Sequence, residues 1–149
     1  MKNYPPSIKD FIDFGKSGGI FFVHCPERYV LKTMKGEISA LSDGDNGVEV
    51  CFFDAGENKN AVTEAIGTAS EITLFATSRV VVLDIPEKIS DADQKALERY
   101  IDSCETTNFL IVFLSEIDKR LKFFKSLQKL TKIYFPVPLP STVELKNFI

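Results

Sequence analysis

Apolar and polar positions alternate along this chain in two rhythms. Gly19-Ile20-Phe21-Phe22-Val23 is a short continuous apolar run, the pattern of a buried strand. Val30, Leu31, Met34, Ile38 and Leu41 follow at helical spacing and predict a helix ending near Ser42-Asp43-Gly44. Val48 to Phe53 reads as a second strand, closed by Asp54-Ala55-Gly56. Asn60 is placed to cap a helix carrying Val62, Ala65, Ile66 and Ala69. Arg79-Val80-Val81-Val82-Leu83 is a β-branched third strand. Ser90 caps the next predicted helix, whose first turn holds Asp91 and Asp93 and whose apolar positions are Ala96, Leu97, Tyr100 and Ile101. Asn108 to Leu114 is the most continuously apolar strand, Lys119 to Leu130 a helix, and Lys132 to Phe135 a fifth strand.

Strands joined by helix-length connections require crossovers, and crossovers give a parallel sheet covered on both faces. The expected fold is therefore α/β, a three-layer sandwich around a five-stranded, mainly parallel sheet, with right-handed connections. A short helix over 7–15 precedes the first strand. Pro136-Val137-Pro138-Leu139-Pro140 reads as a stiff linker, and Ser141-Thr142-Val143-Glu144 as a capping box. The helix it announces has about two turns of chain, too few to stand alone. The expected organisation is one domain over residues 1–135, then a linker and the start of a cut-short second domain over 136–149.

Composition narrows the class. With 149 residues, 44% hydrophobic and 26% charged, the chain has the make-up of one globular domain, not of a disordered tail. No apolar run approaches the roughly 18 residues of a membrane span. The N-terminal residues lack a signal-peptide apolar region, so the expected compartment is the cytoplasm. Lys and Arg number 18 against 21 Asp and Glu, a net charge of −3 that does not draw the whole domain to nucleic acid or anionic lipid. Cys25, Cys51 and Cys104 form no close pair, and His24 is the single histidine, so inert thiols are expected and no metal site.

Three chemical signatures fail on inspection. Gly15-Lys16-Ser17 ends like a phosphate loop, but the first glycine of that motif would fall at Asp10, and the motif here precedes the first strand instead of following it. Cys25 directly after a strand suggests a cysteine phosphatase, yet the arginine such a loop needs six residues later is Leu31. Arg28 comes too early, and Pro26 removes an N–H donor. Asp54 could be a phospho-acceptor or metal carboxylate, but only Glu27 offers a partner acid, and a turn acid explains it better. No catalytic residue emerges. The chain has the topology of a phosphate-binding fold without the residues that bind phosphate.

The segment Ala69 to Leu83 is the distinctive one. Leu74-Phe75 lies between a helix and a strand and is followed by a small residue, polar residues and Arg79. Phe22 to Val30, then Phe109 to Phe113 with Asp118-Lys119-Arg120 and Phe123-Phe124, and finally Glu144 to Ile149 follow in a matching order. Together these resemble the N-terminal domain of the bacterial DNA polymerase III delta subunit, a clamp-loader component. Cys25 stands where that family usually has glycine, and Phe148 replaces a frequent tryptophan; neither touches the Leu-Phe pair.

The resemblance implies an AAA+ fold related to P-loop NTPases but without a working P-loop, so no ATP or other cofactor is expected. It implies that the domain binds the beta sliding clamp and favours its opening during DNA replication. Leu74 and Phe75, flanked by Ile72 and Thr73, would form the hydrophobic wedge that enters the clamp. On residue type alone, the pair would sooner tuck under the sheet. The family belongs to the DNA polymerase III holoenzyme, and no intrinsic activity is expected of this stretch. The other loader subunits, gamma/tau and delta prime, would be met through further domains, and DNA only indirectly.

Two other readings use other residues. Lys119 to Lys132 holds six basic residues and no acids, and Lys119, Lys122, Lys125, Lys129 and Lys132 fall in one helical stripe. The stripe is either a solvated face or a phosphate-tracking surface of a nucleic-acid accessory domain. Alternatively the chain is a diverged small α/β nucleotide-binding enzyme or switch, which would show a formed pocket around Cys25, Glu27, Asp54 and Ser115.

Overall fold

The structure is a computed structural model that describes residues 19–43, 47–71, 78–86, 89–103, 108–115 and 134–136. The chain runs β1 (Gly19–His24), α1 (Arg28–Ser39) with a 3-10 turn (Ala40–Asp43), β2 (Val48–Asp54), α2 (Ala61–Ser70), β3 (Ser78–Ile85), α3 (Asp91–Ser103), β4 (Phe109–Leu114) and β5 (Tyr134–Pro136). The strand order is β2-β3-β4-β1-β5 and every pairing is parallel. Four strands of six to eight residues carry the sheet. The expected fifth is only three residues long, starting at Tyr134 instead of Lys132, and extends the sheet beyond β1. Pro136 can join because β5 is an edge strand, where a missing N–H costs nothing on the open side.

Strand residues alternate between two cores, as a three-layer sandwich requires. Val80, Val82, Phe109, Ile111 and Phe113 meet Val30, Leu31, Met34 and Ile38 of α1. Val81, Leu83, Leu110 and Val112 meet Ala61, Val62, Ala65 and Ala69 of α2, with Leu97 and Tyr100 of α3. All six residues of β4 are buried, which is why its sequence shows no alternation. Burying each large apolar side chain is worth roughly 1.5–3 kcal/mol, and these two layers hold the sheet between them.

The helix ends show where local chemistry departs from expectation. Glu27 caps α1, its carboxylate accepting from the Tyr29 N–H at 3.2 Å. Ser90 Oγ accepts from the Asp93 N–H at 3.2 Å, as its position before α3 predicts. Asn60 precedes α2 but its side chain makes no capping bond, a correction to the sequence reading. Its backbone is not extended (φ −99°, ψ 9°), so the amide cannot turn back onto the helix. Asn58 does the work instead: its side chain accepts from the Asn60 N–H and donates to Glu64, each at 2.9 Å. β3 runs past the predicted end at Leu83, because Asp84 and Ile85 pair with Phe113 and Leu114 of β4. The predicted helices over 7–15 and 119–130 and the segment 137–149 lie outside the described residues.

Candidate functional site

A parallel sheet presents two unlike ends. At the C-terminal end the exits of β1, β3 and β4 converge: the Cys25 N–H donates to Leu114 O at 2.9 Å and the Ser115 N–H to Ile85 O at 3.2 Å. β1 leads into α1 on one face of the sheet and β3 into α3 on the other, so this crevice is where an α/β fold would hold a ligand. Here it is occupied by an ion cluster. Asp84 is 1% exposed, and its Oδ2 accepts from Lys35 Nζ and from Arg28 Nη2, the latter at 3.3 Å. Arg28 Nη1 also donates to Ser115 Oγ at 3.1 Å. Arg28 and Lys35 reach one carboxylate because residues seven apart share a helix face. Asp84 Oδ1 is buried without a partner.

The sequence-singled residues at this end divide cleanly. Burial pushes the Cys25 thiol up to about 11; Glu27 and Asp84 add to the rise, while a backbone hydrogen bond and Arg28 oppose it. A nucleophilic cysteine needs the opposite environment. Cys51 is raised too, first by burial and then by the Glu49 charge beside it. Asp54 Oδ1 accepts from the Gly56 N–H at 2.8 Å, the geometry of a turn acid. Cys25, Glu27 and Ser115 lie around the ion cluster, Ser115 accepting from Arg28 and the Cys25 Sγ donating to Glu27 O at 3.5 Å. A cavity of about 280 Å³ lies elsewhere, between Ala55, Gly56, Lys59, Ile85, Pro86, Ile89, Ser90 and Asp93. Among the described residues no three His, Cys, Asp or Glu side chains converge on a metal position.

The N-terminal end of the sheet is built differently. There α2 stops and β3 starts, with six residues, 72–77, between Glu71 and Ser78. Arg79 Nη1 donates to Thr68 O and to Glu71 Oε2, both at 3.1 Å, while Nε and Nη2 donate to Glu49 Oε2 on β2 at 3.3 and 3.2 Å. Burial opposes the Arg79 charge, but the bonds and charges of Glu49 and Glu71 prevail and lift its pKa above the ordinary arginine value. Asn108, 1% exposed before β4, donates its side-chain amide to Ala69 O at 2.8 Å and Glu71 O at 2.7 Å. Ile72, Thr73, Leu74 and Phe75 lie outside the described residues, as do Lys119, Lys122, Lys125 and Lys129.

The sequence model of the family described as DNA polymerase III, delta subunit matches residues 26–135, nearly three quarters of the chain. The chain belongs to this family. In fold it is similar to the Bacillus subtilis DNA clamp loader delta protein (YqeN), with a TM-score of 0.61 and 22% identity over 87% of this chain and 41% of that one. It therefore spans less than half of that protein's length. Among curated protein sequences none matches. The delta-family match takes in Leu74-Phe75, the basic stretch from Lys119, the Arg79 junction and the Asp84 cluster alike. No helix among the described residues is long and apolar enough to cross a membrane.

The ion cluster and the Arg79–Asn108 junction are the features sequence reasoning missed. Asp84 carried a signal: it follows Val80 and Val82 on the same strand face, where an acid must be paired if buried. Arg28 and Lys35, seven apart, were its available cations. Asn108 had no such signal: it read as the first residue of the fourth strand, which begins instead at Phe109, and its two acceptors lie 39 and 37 residues earlier.

Proposed function

We propose that this chain is the clamp-binding domain of a delta subunit, acting through protein contact and not through chemistry of its own. It binds the beta sliding clamp and favours opening of the ring during DNA replication, alongside other clamp-loader subunits. The family match over 26–135 carries this reading, because Leu74-Phe75 falls within it at the junction of α2 and β3. Two adjacent large apolar side chains supply hot-spot-sized binding energy when they enter a partner pocket.

The same reading makes the domain AAA+-like without a working nucleotide site. The strand order and the ion cluster both support this: the crevice that would hold phosphates contains a buried carboxylate tied to Arg28 and Lys35. A buried negative charge repels phosphate, and its cations are already engaged. Pro26 further removes a backbone donor from the loop after β1. The domain then needs no ATP, metal or other cofactor.

The test is co-elution of the purified chain with the beta clamp of the same organism on size exclusion. A shared, earlier-eluting peak is expected. Independent elution at concentrations of tens of micromolar would refute the proposal.

A further inference from the structure

The core layer between the sheet and helices α2 and α3 opens into a cavity at the C-terminal ends of β2 and β3. Ile85, Ile89 and Ala55 belong to that layer, and all three also line the cavity of about 280 Å³. Both turns beside it are held by their own hydrogen bonds. After β2, Asp54 O accepts from the Glu57 and Asn58 N–H groups at 3.2 and 3.0 Å, and Asp54 Oδ1 from the Gly56 N–H. Gly56 lies so close to Pro86 that a Cβ there would come within 2.8 Å of the proline ring. Before α3, Ser90 caps Asp93, and Gln94 Nε2 donates to Ile89 O at 3.2 Å. The cavity is therefore preformed, its walls fixed before any ligand arrives. Lys59 and Asp93 line it too, and the ion pairs among the described residues, those of Asp84 and Arg79, involve neither.

We infer that this cavity is a docking site for one large apolar side chain of a partner protein, flanked in the partner's sequence by an acid for Lys59 and a base for Asp93. Size selects the occupant. A cavity of about 150 Å³ holds a benzene ring, whereas drug-sized ligands take roughly 300–1,000 Å³. At about 280 Å³ the space fits a Leu or Phe side chain with some adjoining backbone and is small for a nucleotide. Chemistry narrows the choice further. Ile85, Ile89 and Pro86 favour a side chain without polar atoms. One charge of each sign suits a segment of mixed charge over a purely acidic or purely basic one. The anchor extends a core layer that already exists, which is how a few buried side chains come to dominate an interface. This inference does not rest on the clamp-binding reading.

The test is an amide NMR titration of the full chain with two capped pentapeptides, Gly-Glu-Leu-Lys-Gly and Gly-Lys-Leu-Glu-Gly, acetylated at one end and amidated at the other. One of the two orders should move the amides of Gly56, Lys59, Ile89 and Asp93 saturably, with a Kd of roughly a few millimolar. Exchanging the peptide's Leu for Ser should remove the shifts. Lys59→Glu, at an exposed turn position, should keep the fold and weaken the better peptide about threefold. A peptide with Lys in place of its Glu should then bind Lys59→Glu better than it binds wild type, a swap that a purely structural lysine would not produce. Ala55→Leu, which fills the cavity from within, should also end binding, and Lys59→Glu carries the test alone if that variant does not fold. The inference is overturned if neither order shifts these amides at about 20 mM, or if the Ser peptide binds as well as the Leu peptide. Free leucine binding as tightly as the better peptide would also overturn it, by making this a site for a small molecule.

Discussion

Removing Lys35 should destabilise the domain more than removing Asp84, its ion-pair partner. The two ends of this pair have unequal access to water. Asp84 is 1% exposed, and its Oδ1 already lacks a partner, whereas the Lys35 side chain is 27% exposed on a flexible stem. Taking away Lys35 strands a buried carboxylate, and breaking a buried pair in that direction costs about 3–5 kcal/mol. Arg28 remains at 3.3 Å, but with 56% exposure its attraction is largely screened and recovers about 1 kcal/mol at most. Lys35→Met should therefore cost about 2–4 kcal/mol. Asp84→Asn removes the acid and leaves two cations that can swing into water. The lost attraction is partly offset because an unsatisfied buried oxygen, worth about 1–3 kcal/mol, is no longer charged. Its cost should be about 0–2 kcal/mol, and adding Asp84→Asn to Lys35→Met should restore stability. Urea unfolding of the four proteins at pH 7, with equal m-values as the check on two-state behaviour, measures all three quantities. The reasoning is refuted if Asp84→Asn costs more than Lys35→Met, or if the two costs simply add.

Other outcomes follow from single positions. Gly36 and Gly67 sit inside α1 and α2 with open space where a Cβ would go, so Gly36→Ala and Gly67→Ala should each stabilise by roughly 0.5–1 kcal/mol in urea melts. A Cβ on Gly56 would meet Pro86 Cγ at 2.8 Å, so Gly56→Ala should destabilise by about 1–3 kcal/mol in the same melts. The Cys25 thiol ionises near 9 when unfolded and near 11 when folded, so the unfolded chain loses its proton first. Stability should be unaffected below about pH 9 and fall by at most about 3 kcal/mol as the pH rises to 11, with a shallower fall in Cys25→Ala, read by denaturant melts across that range. Calorimetric titration with ATP and Mg²⁺ should give no saturable heat, and micromolar affinity would contradict the reading of the crevice.

Sheet and helices were legible because each hydrophobic rhythm has one structural solution. The unbroken run Phe109 to Leu114 could only be a strand covered on both faces, and the spacing of Val30, Leu31, Met34 and Ile38 only a helix lying on it. What the chain order could not show were pairings made across long separations. Asp84 meets Lys35 across 49 residues, and Asn108 meets Ala69 across 39. Strand order decides such contacts, and a linear pattern does not encode strand order. Asn60 failed for a local reason: Asn58, two positions earlier, competes for the same helix start. Failed signatures were informative too, since Pro26 and Glu27 after β1 argue against a phosphate loop from residue types alone. Leu74-Phe75 stood out because large apolar neighbours are unexpected between a helix and a strand.

That pair also carries the central claim. The most direct measurement is the affinity of this chain for the beta clamp, with melting temperature, for wild type beside Leu74→Ala/Phe75→Ala. At roughly 1.5–3 kcal/mol for each buried side chain, the double variant should lose at least about a hundredfold in affinity. If the pair is the clamp wedge, the variant's melting temperature should stay near wild type, since side chains kept for a partner add little to the fold. Unchanged affinity would contradict the account, and a collapse in melting temperature would return the pair to the interior of the fold.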